Sequence, residues 1–234
     1  MATTTASPFP TLHLPPNPLP TSALPVGLLL PRTTTPESTP LNPNTTTSNT
    51  PALSDRDFDD AGSQWYKDVI TLSTTNGWFL NSLGGVKILE SQPPKDQELG
   101  TIEAEEMRVR SLKDAVSALK KVENSEEGKK WVELVRKQQE EGKLLGFVTA
   151  VREVKNASYK HAKVVKTAGG MWEVVREVHA EEAAGKKRRD SGLDVITGSK
   201  WDAVGVEVRR VTILNDGSLE LGDVLRDEDV RTML

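Results

Sequence analysis

The stretch KLLGFVTAVREVKNASYKHAKVVKTA, Lys143 to Ala168, decides the fold, and the spacing of its apolar residues predicts a helix. Leu144, Phe147, Val151, Val154, Ser158, Ala162 and Val165 recur three and four apart, the signature of one buried helical face. Gly169-Gly170 then supplies the stop. A β-hairpin turning at Gly169-Gly170 is the rival reading, because Val164, Val165, Val174 and Val175 favour strands. The Glu181-Glu182-Ala183-Ala184 run favours a helix over residues 171–184.

The same stretch holds six bases and one acid, Glu153, between Lys143 and Lys166. On a helix, Arg152, Lys155, Tyr159, Lys160, Lys163 and Lys166 share one arc of about 140° beside the apolar stripe. A basic amphipathic helix suits an anionic partner (nucleic acid, a membrane surface or an acidic protein), with an acidic protein surface expected first and nucleic acid as the alternative. A solvated lysine face is the competing explanation, although acids would then be interspersed.

Working toward the N-terminus, the periodicity predicts three more helices. Ser54 with Asp57 reads as an N-cap, and Phe58, Ala61, Trp65, Val69 and Leu72 continue as a stripe. Val109, Leu112, Val116 and Leu119 face inward on a second helix over 101–124, and Trp131 on a third over 125–142. Trp65, Trp131 and Trp172 should all be buried on their helices. Toward the C-terminus, Val204 to Leu214 alternates, Asn215-Asp216-Gly217-Ser218 is a turn, and Leu219 to Leu221 returns.

Residues 1–53 differ in kind. Twelve of the 14 prolines fall by Pro51, with one base, Arg32, and one acid, Glu37, among Thr, Ser and Asn. Such a chain buries too little to offset roughly 1–2 kcal/mol per residue of ordering entropy. The expected organisation is therefore a disordered arm (1–53), a helical domain (54–185), and a basic linker with a β-hairpin and polar tail (186–234). The fold class is mainly α, a bundle-like domain with a small C-terminal β-hairpin.

Composition and motifs then bound function. Net charge is −4, carried unevenly: residues 101–190 hold 20 bases and 16 acids, and each flank holds 5 bases and 9 acids. The absence of cysteine excludes disulfides and thiolate chemistry and fits a reducing compartment. No run approaches the 18 or so apolar residues of a membrane span; Ala23 to Leu30 comes nearest. No phosphate loop, dinucleotide fingerprint or nucleophile elbow is present; of His13, His161 and His179 only His179 has a ligand-spaced neighbour, Glu182 at i+3, half a metal site at best. Neither catalytic residues, a metal site nor a cofactor is expected.

Lys186-Lys187-Arg188-Arg189 fits a nuclear import signal or a phosphate contact. Ser191 follows it as a basophilic kinase site, while Ser7, Thr35, Thr39 and Thr50 each precede proline. These point to a nuclear or cytoplasmic protein, or to an organelle protein if residues 1–53 are a targeting segment. The functional expectation is a non-catalytic interaction module, an adaptor or complex subunit, with nucleic-acid binding through the same basic face as the alternative.

Overall fold

A computed structural model of the chain describes residues 12–31, 40–41, 52–138, 144–176, 193 and 197–234. It overturns the expected fold class. The described residues are 49% strand and 17% helical, and eleven strands join one antiparallel sheet, so this is a mainly β protein.

The sheet is organised around two long strands, β3 (Phe58–Ser73) and β6 (Gln97–Leu112). They pair along their whole length, from Phe58 opposite Leu112 to Ser73 opposite Gln97. The deciding stretch is not a helix but β7 (Leu145–Lys155) and β8 (Ser158–Lys166). Both lie on the other edge of β6, β7 from Ser111 to Glu106 and β8 from Glu103 to Leu99.

Beyond β7 comes β10 (Trp201–Ile213), which turns through Asn215–Ser218 into β11 (Leu219–Val224). That hairpin belongs to the sheet, at the end where β10 pairs with β7, rather than being appended to a bundle. Beyond β8 come β9 (Trp172–Arg176) and β5 (Ile88–Leu89), so the Gly169-Gly170 hairpin is the form observed. A short β4 (Phe79–Ser82) closes one end of β3.

The reason the helical spacing misleads is visible in β7. Leu145 and Phe147 pack against the helices α1 (Ala115–Asn124) and α2 (Glu126–Gln138), through Leu119, Val122 and Trp131. Val148 and Val151 pack on the opposite side with Val206, Val208 and the helix α3 (Asp227–Met233). A strand buried on both faces reads as a continuous apolar run, without the alternation that marks a half-exposed one. Gly146 lies where a Cβ would meet Val208 Cγ1 at 2.6 Å.

Helices α1 and α2 follow one another through Ser125, whose Oγ accepts the Gly128 N–H at 2.9 Å. Asp114 caps α1 by accepting the Ser117 N–H at 3.0 Å. The predicted helix at Ser54 is reduced to one 3-10 turn: Ser54 and Asp57 do form a capping box, but Phe58 already begins β3.

The arm also needs correction. Residues 12–31 belong to the fold: Leu14, Leu24, Val26, Leu28, Leu29 and Leu30 are all buried. β1 (Leu19–Pro20) pairs with β10, and β2 (Leu29–Pro31) pairs with β7 opposite Leu145–Phe147, past the end of β6. His13 exchanges both backbone bonds with Val206 at 2.8 Å. Prolines remove donors, but carbonyls and the remaining amides suffice for short bridges. The rest of residues 1–53 lies outside the described residues, apart from 40–41 and 52–53. Among the described residues no helix is long and apolar enough to cross a membrane.

Candidate interaction surface

The six residues assigned to one helical face are distributed differently on strands. Tyr159 is core: its hydroxyl donates to Asp202 Oδ2 at 2.8 Å, and its ring lies 6.1 Å from that of Phe79. Burial, reinforced by the Asp202 carboxylate, pushes its phenol well above the ordinary tyrosine value.

Arg152 turns inward, its guanidinium 3.5 Å from the Tyr66 hydroxyl, which donates to the buried Asp68 at 2.9 Å. Burial is also the main cause of the upward shift of the Tyr66 phenol, with Asp68 second. Lys155 pairs with Glu106 at 2.9 Å and lies 5.7 Å from the Trp201 ring centroid. Arg108 stacks on the same ring at 4.5 Å while pairing with the buried Glu153. These cations belong to a cross-strand ladder whose acids are already on the sheet. Like alternation elsewhere, it satisfies a half-exposed face.

Lys160, Lys163 and Lys166 remain together on β8. Strand alternation places Lys160 and Lys166 on one face and Lys163 on the other. Lys166 sits 5.8 Å from the Trp172 ring centroid. Lys163 is opposite Val175, and beside it Val165 is opposite Glu173, which in turn faces Ile88 on β5. This end of the sheet leaves apolar side chains in water: Ile88 is 55% exposed and Val165 47%, with Val86 and Met171 exposed as well. The nearby acids are Glu173, and Glu98 at 3.6 Å from His161. The sequence hid the apolar part of this surface, because Ile88 and Val165 look like core residues until β5 proves to be the last strand.

Trp65 is the second surprise. Expected in the core, it is 79% exposed on β3 with a left-handed backbone, φ 59°. Trp131 is buried as expected, and Trp172 is half-buried. The basic run Lys186, Lys187, Arg188 and Arg189 and the candidate phosphorylation sites Ser191, Ser7, Thr35, Thr39 and Thr50 lie outside the described residues. Among the described residues no group of three or more His, Asp or Glu is placed to hold a metal ion.

No protein-family model matches the chain, and no curated protein matches it. Among solved structures it is similar to a bacterial gasdermin from Bradyrhizobium tropiciagri, at 9% identity over 92% of this chain and 87% of that one. The TM-score is 0.34, a likeness too slight to define a fold or an activity.

Proposed function

We propose that this chain is a non-catalytic interaction module that takes a partner with an acidic surface at the β5–β9–β8 end of its sheet. The observation that supports this reading is the exposure of Ile88 and Val165 on either side of Glu173 with Lys163 on the same face, and of Met171 at the adjoining β8–β9 turn beside Lys166 of the opposite face. Exposed apolar side chains on neighbouring strands beside a lysine have the composition of a binding patch, although Glu173 lies between Ile88 and Val165. The lysines supply steering and selectivity, and the exposed apolar side chains supply the area removed from water.

The test compares wild type with Lys163→Glu/Lys166→Glu and with Ile88→Ser/Val165→Thr in native co-purification after nuclease treatment. Both doubles should fold as wild type and lose the same acidic partner, and rising salt should weaken wild-type binding. Retention of every partner by both variants refutes the reading. Partners lost on nuclease treatment alone would assign the surface to nucleic acid instead.

A further inference from the structure

One side of β3 is paired with β6 along its whole length. The other side is covered only from Val69 onward. There the Val69 N–H donates to the Gly84 carbonyl at 2.9 Å, the Leu83 N–H donates to the Val69 carbonyl at 2.7 Å, and β4 pairs with residues 70–72. Ahead of Val69, nothing among the described residues pairs with that side. This open stretch holds no proline, and residues 59–65 are all exposed.

The open side presents backbone groups. The Lys113 N–H donates to the Asp57 carbonyl at 3.0 Å, in line with the Phe58–Leu112 register. In an antiparallel ladder the bonds toward β6 then fall on alternate residues: Asp57, Asp59, Ala61 and Ser63. The N–H and C=O groups of Phe58, Asp60, Gly62 and Gln64 point outward, a template to which another strand adds. The side chains along it carry an acid at one end, Asp59, a base at the other, Lys67, and Trp65, 79% exposed, between them.

We propose that the occupant is a second copy of this chain, with the two β3 strands antiparallel about a two-fold axis at Ser63. Gly62 then exchanges backbone hydrogen bonds with Gln64 of the second copy, and Gln64 with its Gly62. The β3–β6 register keeps count through Trp65, whose backbone is left-handed at φ 59°, so the opposed positions continue beyond it. Trp65 comes opposite Ala61 of the second copy, whose small side chain leaves room for the indole. Asp59 comes opposite Lys67 at both ends, so the strand complements itself, as an isologous contact requires. Within one chain Asp59 meets Lys113 at 3.7 Å and Lys67 meets Glu103 at 3.2 Å, exposed pairs that exchange readily. A contact through one strand pair falls below about 1,200 Å² in total, so the dimer is reversible. This surface is separate from the β5–β9–β8 end and does not rest on the reading given for it.

Sedimentation velocity of the full chain from about 1 μM to about 1 mM, the range of weak complexes, should show wild type passing from monomer to dimer. Asp59→Lys alone and Lys67→Asp alone set like charges opposite one another at both ends. Each should stay monomeric where wild type is half dimeric. Mixing these two variants opposes unlike charges again and should restore the dimer. Gln64→Pro removes an outward donor and no bond to β6, so it should also stay monomeric. If it fails to fold, the charge variants decide alone, since both positions are exposed. Wild type that is monomeric throughout overturns the proposal. Single charge variants that dimerise as wild type does, or a mixture that stays monomeric, overturn it equally.

Discussion

Removing residues 1–53, which composition alone marks as expendable, should abolish folding. Within it, six aliphatic side chains of residues 12–31, Leu14, Leu24, Val26, Leu28, Leu29 and Leu30, are each at most 5% exposed. Burying one stabilises by roughly 1.5–3 kcal/mol, so together they supply about 9–18 kcal/mol. Residual compactness of the unfolded chain trims this by roughly 10–40%. What remains is comparable to the whole net stability of a domain, roughly 5–15 kcal/mol. Deletion also uncovers Val148, Val206 and Val208, against which the segment packs. A graded version is Leu29→Ala, expected to cost about 2–5 kcal/mol and to lower Tm by roughly 5–20 °C. Ser22→Ala, at an exposed position of the same segment, should stay within about 0.5 kcal/mol. Calorimetry or circular dichroism reads all three. A chain starting at Ser54 that melts cooperatively near the wild-type temperature would refute the packing described for residues 12–31.

Two further outcomes follow from named side chains. Trp131→Ala should cost about 3–5 kcal/mol, while Trp65→Ala should change stability by less than about 0.5 kcal/mol; equal effects in thermal melts would contradict their burial. Tyr66 and Tyr159 are the chain's two tyrosines, and burial raises both phenols above the ordinary value of about 10. The unfolded state therefore loses these protons first, so stability should hold below pH 10 and fall above it. The slope reaches about 1.4 kcal/mol per pH unit for each tyrosine. Phenolate absorbance should appear together with unfolding; smooth titration near pH 10 in a protein that still melts normally would count against buried phenols.

How much of this was legible in the residues depends on exposure. Val204, Val206 and Val208 alternate openly, and the turn at Asn215–Ser218 announces itself, so the β10–β11 hairpin can be read directly. The amphipathic face of α2 around Trp131 is equally plain. β7 conceals itself because its two faces meet two different apolar layers, leaving no polar beat to mark period two. The first half of β3 conceals itself for the opposite reason. Asp59 to Trp65 is exposed throughout, so Phe58, Ala61, Trp65, Val69 and Leu72 match a helical stripe by accident. Residues 12–31 carried a usable signal in Ala23 to Leu30, an apolar run that proline content alone outweighed. Of the proposed binding surface, the lysines of β8 were visible and the exposed apolar pair was not, since Ile88 and Val165 are brought near each other only through Glu173 of β9.

The pairing of β1 with β10 has a consequence for how the chain is made. Leu19 is opposite Ala203, so β1 must wait for a partner made more than 180 residues later. Until β10 leaves the ribosome, Leu14 has no Val204 and Leu28 has no Val206 or Val208. At roughly 5–20 residues per second, that interval lasts on the order of ten seconds or more. Sheet pairing over such separations is also slow by loop-closure entropy once the chain is complete. Over that interval the apolar side chains of residues 14–30 are unsheltered, a period in which chaperone capture competes with aggregation.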